Sequence, residues 1–480
     1  MCLSSEQMER LSEFVRSPYF NKNRVVAFLF DYLKSHYPDF DDSSMTSEAL
    51  RKNVKGITGA NDLGRKLNRL LELTEEFLSL ENNRNDFAER IGTLKAYKKL
   101  QLPKHFEFLA KQLRKEFEEK PFKDFDHRWL MHELEEELFE GFDKGLLRIP
   151  ENSADKVMET LIRFYLTKKL CYVAEAVNRE RVLGKIIAEN DKNEMLDFLH
   201  SKKDDKDLYL ALYGNIFKMN LEKSPEKAAI FYQELKKAVF SFPHFIPEDE
   251  IRNACGYLQN FCVNLSNKGD KKYLGELIQI IQFRISKRIL LTNSMINPQL
   301  FKNVVGAAIK LSKTNWVKNF IRRYEKYLPE EFRSDYYNLA AGQVFYHEKK
   351  YVDASRRLAI ASHNKNDIYF GFAVKKLLLK IGYESNDLAL ESYIESYRKH
   401  LERNRKKIGE AAPILEKFYK YFQMLADEDS DSEEMEILLS KLLAEENFAD
   451  KDWLIRMTNK KLKQPVSSRP FQKSVLMVHR

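Results

Sequence analysis

From about residue 86 onward, apolar side chains recur at the three- and four-residue spacing of a helix face, in runs of about 12–24 residues. Pro103, Pro121, Pro150, Pro225, Pro243, Pro247, Pro298 and Pro329 nearly all fall where that periodicity resets. A proline fits the first turn of a helix and breaks its interior, so these residues punctuate a succession of helices. No stretch shows the two-residue alternation of a strand. Gly and Pro number only 16 and 13 in 480 residues, which disfavours a turn-rich β fold. The pattern predicts an all-α chain.

Residues 1–82 read as four helices forming an N-terminal segment. Ser4 or Ser5 caps the first, with Leu11, Phe14 and Val15 on one face. Arg24 to His36 is the second, with Val25, Phe28, Leu29 and Leu33 inward, stopped before Pro38. Thr46 to Val54 is the third. Asn61 or Asp62 caps the fourth, whose Leu63, Leu67, Leu70, Leu71, Phe77 and Leu78 keep helical spacing. Residues 83–457 read as an α-helical hairpin array with 1–82 as its cap, because stacked repeats need a cover over their terminal apolar face.

Within the array the pattern is clearest over 300–405. In DYYNLAAGQVFYHEKKYVDASRRLAIASHNKND, Gly342 and Phe345 are followed by Ala354, Leu358 and Ala361. Small residues there let two antiparallel helices approach, and aromatics fill the groove between them. The arrangement resembles the tetratricopeptide repeat, with Asn338 where that pattern has Trp and Ala341 where it has Leu. The turn HEKKY stands where that family passes from first helix to second. Similar turns are expected at Asn315-Trp316, Lys350-Tyr351 and Asn386-Asp387, about 35 residues apart, and upstream at Asn267 to Asp270 and Ser224 to Glu226.

A second resemblance spans nearly the whole chain. The runs SPYFNK, YLQNFCVNLSNKGD, FKNVVGAAIKL, NWVKNFIRRYEKYLPEEFRSDYYNLA and DWLIRM are similar to an uncharacterised family of bacterial helical-repeat proteins. That resemblance implies a helical-repeat fold and a cytoplasmic location, and no chemistry.

Apolar residues make up 43% of the chain and charged residues 32%, enough to bury a core and remain dissolved. The net charge is +9, but residues 458–480 hold six basic residues and no acid. Taking those six from +9 leaves +3 for residues 1–457, so basicity argues little for nucleic acid. The basic segment 458–480 reads as a disordered tail. Seven acids between Asp427 and Glu436 read as an exposed loop entering a helix N-terminus. Cysteines stand at 2, 171, 255 and 262, too few for a disulfide scaffold and without a CxxC pair for zinc. Cys255 and Cys262, seven apart, share a helix face. With no membrane-spanning apolar run and no cleavage-like leader, a cytoplasmic chain with reduced thiols is expected.

Catalytic and cofactor motifs are missing: no phosphate-binding glycine loop, no nucleophile elbow, no metal-spaced histidine pair. His127 and His132, five apart, point to different sides of a helix, and Glu133, Glu135, Glu136, Glu137 and Glu140 read as its solvated face. No residue is assigned a catalytic, cofactor-binding or metal role. Arg65, Lys66 and Arg69, with Asn68, face outward at the start of the fourth helix, where a recognition helix would read nucleic acid. The long connection from Val54 to Asp62 and the acids Glu72, Glu75 and Glu76 weigh against that role. A basic run from Arg398 to Lys407 fits a helix C-terminus. The expected function is a non-catalytic scaffold or adaptor that binds a protein or peptide partner along the array. The alternative is a nucleic-acid-binding regulator using the N-terminal helices, with the array as sensor or dimeriser.

Overall fold

The computed structural model describes residues 3–37, 40, 44–82, 86–143, 153–183, 188–201, 207–267, 269–361, 367–408, 412–427, 429–445, 448 and 450–463. The chain is all-helical: among these residues there are 22 α-helices, one 3-10 turn, no strand, and a single β-bridge between Thr292 and Met295. It divides into two compact units, residues 1–120 with 125–164, and residues 121–124 with 165–480.

The first unit opens with α1 (Ser5–Arg16), α2 (Arg24–Ser35), α3 (Ser47–Asn53) and α4 (Ala60–Asn82). Ser4 and Gln7 form a reciprocal capping box on α1, and Thr46 caps α3. These helices close around Leu11, Val15, Leu29, Leu50, Leu73 and Phe77. On α2 the inward face carries Val26, Leu29 and Phe30, whereas Phe28 is 50% exposed. Two overlapping apolar stripes satisfy helical spacing there, and packing against both α1 and α4 selects one. Leu71 likewise turns outward while Leu73 goes in. Helix α4 begins at Ala60, so both expected caps, Asn61 and Asp62, lie within it, and Asp62 accepts from the Thr58 backbone N–H. The SPYFNK turn is held by buried Asn21, which donates to the Val15 carbonyl at 2.8 Å and accepts the Asn23 N–H at 2.9 Å.

A second core joins α5 (Asp86–Lys99), α6 (Pro103–Glu119) and α7 (Phe125–Asp143). Here the expectation of a solvated glutamate face holds for Glu136 and Glu140, which are exposed, and is corrected for Glu133, Glu135 and Glu137. Glu135 is only 5% exposed and takes a two-pronged ion pair from Arg114, while Glu137 and Glu140 pair with Lys98 and Glu133 faces Lys95 at 3.5 Å. Helices α5 and α6 supply the cations that this glutamate row answers, a relation between helices that spacing along α7 alone does not reveal.

Helix α8 (Ser153–Leu183) starts in the first unit and ends in the second. The second unit continues with α9 (Glu189–Ser201), α10 (Leu208–Leu221), α11 (Pro225–Ser241), α12 (Glu248–Asn267), α13 (Lys272–Ser286), α14 (Pro298–Lys310) and α15 (Thr314–Tyr324). Then come α16 (Glu330–His347), α17 (Tyr351–Ala361), α18 (Ile368–Ser385), α19 (Leu390–Ile408), α20 (Ala412–Ala426), α21 (Ser432–Ala444) and α22 (Lys451–Leu462). Pro103, Pro225 and Pro298 each occupy the first position of a helix. Pro150 lies outside the described residues.

Successive helices pack as antiparallel hairpins, α10 with α11, α12 with α13, α14 with α15, α16 with α17 and α18 with α19. The first helices also touch one another, α10 with α12, α14 with α16 and α16 with α18. Four of these hairpins turn through one left-handed residue: Gly269, Ser312, Lys349 and Asn386. Each turn is closed by the same long backbone bond: Asp270 to Leu265, Lys313 to Ala308, Lys350 to Phe345 and Asp387 to Gly382, all at 2.9–3.1 Å. This is the Schellman closure, which satisfies carbonyls left over at a helix end. Lys349 follows Ser312, and Asn386 follows Lys349, by 37 residues. The turn expected at Asn315-Trp316 therefore lies earlier, at Leu311 to Lys313, and both residues belong to the first turn of α15.

Between α16 and α17, Gly342 is buried against Leu358, whose nearest atoms lie 3.0 and 3.1 Å from where a Cβ would stand. Ala354, Leu358 and Ala361 are fully buried and Phe345 is partly so. Cys255 and Cys262 are both buried on α12, and burial pushes each thiol up to about 12. At the C-terminus, α22 runs to Leu462 with Thr458 buried. The first residues of the segment expected to be a disordered tail are thus helical, and 464–480 lie outside the described residues. Trp453 on α22 is the reason: it stacks on Phe422 and packs the helix into the core of α18 to α21. Asp431 caps α21 with Glu433 and Glu434 in its first turn, as expected for the acidic run.

Candidate functional site

Two adjoining cavities, of about 880 and 450 Å³, form a groove in the second unit. They share Val263, Leu277 and Asn303 in their walls. One helix of each hairpin supplies most of the lining: α12 through Asn253, Asn260 and Asn267, α14 through Asn303, α16 through Gln343, and α18 through Lys376 and Lys380. The three α12 asparagines stand seven residues apart, two helical turns each, on the face that leaves Cys255 and Cys262 to the core. Asn253, Asn260 and Asn267 are exposed, and their side chains, with that of Asn303, make no hydrogen bond among the described residues. The Gln343 carbonyl oxygen is buried and equally unpartnered. An amide side chain offers both a donor and an acceptor, so this row can bond the main chain of a segment laid along it.

The smaller cavity is cationic. Lys302, Lys310, Lys376 and Lys380 line it, with Asp450 as the acid among its lining residues. The Asp450 carboxylate accepts from Lys376 at 2.5 Å and from Lys380, and the two ammonium groups hold it well below the usual range against the opposing effect of burial. Burial lowers Lys380 and Lys302, and Lys376 nearby adds repulsion to both. Lys302 and Lys310 have no carboxylate within ion-pair distance among the described residues. Asp450 itself is left-handed (φ 71°) at the start of α22, a strained backbone that its two lysine partners keep in place.

The nucleic-acid candidates sit elsewhere, in the first unit. Arg65 and Lys66 face Asp62 at 3.6 and 3.9 Å. Arg69 donates to Glu72 at 2.8 Å and to the Phe20 carbonyl at 3.1 Å, tying α4 to the SPYFNK turn. The structure does not place these three in the groove. His127 and His132 are both buried, His127 edge-on to Phe117 and His132 within 3.3 Å of the Thr160 hydroxyl. Among the described residues, no group of three His, Cys, Asp or Glu side chains is arranged to hold a metal and no helix is long and apolar enough to cross a membrane. In the basic run, Arg398 is clasped by Glu395 and Glu402, and Arg405 by Glu416. Gly342, Phe345, Ala354, Leu358 and Ala361 mark the packing of α16 on α17 rather than the groove.

Sequence reasoning missed the groove residues. The signal was present on α12, where asparagine repeats at the same seven-residue interval as cysteine, one face polar and the other buried. The lysines carried no such signal, because Lys302, Lys376 and Asp450 come together only through the stacking of α14, α18 and α22. Comparison with models of known protein families, with curated proteins and with solved structures gives no match, so the groove itself carries the functional reading.

Proposed function

We propose that the second unit is a tetratricopeptide-like helical-repeat array and that the protein is a non-catalytic scaffold holding a protein or peptide partner along this groove. The observation that carries the reading is the row of unpartnered amides, Asn253, Asn260, Asn267 and Asn303, on the first helices of successive hairpins. Polar groups with no internal partner cost nothing in water and give direction to whatever displaces it. A preformed helical wall adds little ordering cost on the protein's side of such a complex.

The test compares capture from the native cell extract by the full chain and by two variants, each with and without nuclease. Asn253→Ala, Asn260→Ala and Asn303→Ala together are expected to abolish capture, while Arg65→Ala, Lys66→Ala and Arg69→Ala leave it intact and nuclease-resistant. The opposite pattern, with nuclease releasing every partner, would overturn the reading in favour of nucleic acid on the N-terminal helices.

A further inference from the structure

The larger cavity contains a buried cation without a counter-ion. Arg284, on α13, is 6% exposed and lines the cavity, and among the described residues no carboxylate comes within ion-pair distance of it. Its guanidinium donates three long bonds, to the Gln259 amide oxygen at 3.2 Å and to the Ile289 and Leu290 carbonyls at 3.3 and 3.4 Å. Its Nε has no partner. Gln259, 7% exposed and also in the wall, gives its oxygen to Arg284 and leaves its own NH2 group unpartnered. Two residues that line one cavity and are bonded to each other thus each keep a buried donor with no acceptor among the described residues.

The surroundings add positive charge. Arg252 lines the same cavity, engaged by Glu248 through one nitrogen and by the Leu291 carbonyl through another. Among the described lining residues the one acid, Glu175, is taken up by the Tyr257 hydroxyl at 2.8 Å and by Arg179 at 2.6 Å. Buried charges in proteins are ordinarily paired, and a guanidinium fork matches the paired oxygens of a carboxylate or phosphate.

We infer that Arg284 and Gln259 form a binding site for an oxyanion, a carboxylate or phosphate group, within the larger cavity. The cavity volume, about 880 Å³, is within the usual range for a small organic ligand bearing such a group. Asn253, Asn260 and Thr292 stand in the same wall to bond its polar remainder. The inference does not rest on the scaffold reading, because the buried Arg284 and Gln259 donors argue for an anion by themselves; a ligand that also bonds Asn253 and Asn260 would compete there with a partner laid along the groove.

The test is thermal unfolding of the full chain against increasing inorganic phosphate, and separately malonate, at constant ionic strength. A saturable rise in Tm with either probe is expected; phosphate alone assigns a phosphoryl ligand, malonate alone a carboxylate. Arg284→Met and Gln259→Leu are each expected to weaken the response roughly tenfold or more, the scale of one lost charge-assisted bond. Lys302→Met, in the neighbouring cavity, is expected to leave it unchanged. Should Arg284→Met fail to fold, Gln259→Leu decides alone. No saturable rise with either probe would overturn the inference, as would a response retained in both variants or lost in Lys302→Met. Partner capture is measured separately, so failure of one reading leaves the other standing or falling on its own data.

Discussion

Asp450 shows how much can hang on a single side chain. It meets Lys376 and Lys380 across long sequence separations, and all three side chains are largely shielded from water. Removing one member of such a group leaves uncompensated charge in a low-dielectric setting, typically at a cost of about 3–5 kcal/mol. Asp450→Asn keeps the shape and deletes the charge. Its expected effect is a loss of stability of about that size at pH 7, read from urea unfolding midpoints. Lys376→Met with Asp450→Asn should recover part of it, because fewer ammonium groups then face one another. A change under about 0.5 kcal/mol would mean that water already screens the trio. Buried thiols act oppositely: Cys255 and Cys262 sit near 12, so at neutral pH they behave as small apolar groups.

Among the elements, the hairpin turns carry the clearest regularity. Ser312, Lys349 and Asn386 hold left-handed backbone without being glycine, which costs a residue with a Cβ roughly 1 kcal/mol. Lys349→Gly removes that strain and keeps the closing bond from Lys350 to the Phe345 carbonyl. It is expected to raise stability by about 0.5–1 kcal/mol, measured by chemical denaturation, with no change in helical content; a loss would show that the lysine side chain itself stabilises the turn. These turns explain why helix existence was legible and turn position less so. The HEKKY turn was placed correctly because Gly342, Ala354 and Leu358 fix the pairing on either side. Near Trp316 no such pair was read, and Ser312 gives no compositional hint of its backbone. The faces of α2 and α7 were misread for a related reason: two apolar stripes or a row of acids are resolved only by what packs against them.

For the whole molecule, acid is the sharpest probe. Glu276 and Glu384 are pushed up by burial, but their bonds outweigh it and both lie below the ordinary glutamate value. Glu384 accepts from Tyr346, from Tyr351 at 3.1 Å and from the Trp453 indole at 2.7 Å, joining α16, α17, α18 and α22. A carboxyl depressed in the folded state stabilises above its unfolded value and loses that contribution as pH falls through the folded one. Glu250, raised by burial, works the other way, yet Asp450 adds to the first group. Stability to urea is therefore expected to drop between about pH 5 and pH 3, and Glu384→Gln to make that drop shallower. An identical profile in the variant would remove Glu384 from the account. Helical class and hairpin succession were legible from one-dimensional spacing; the groove was not, because its chemistry joins residues as distant as Asn253 and Asp450. That distance has a consequence for how the chain can be edited. Among the described residues lining the lysine cavity the one acid, Asp450, stands between α21 and α22, so a premature stop between α20 and Asp450 would strip away its carboxylate. Such a truncation would leave the four lysines of an already cationic cleft with no acid between them, and the cleft would draw anions more strongly.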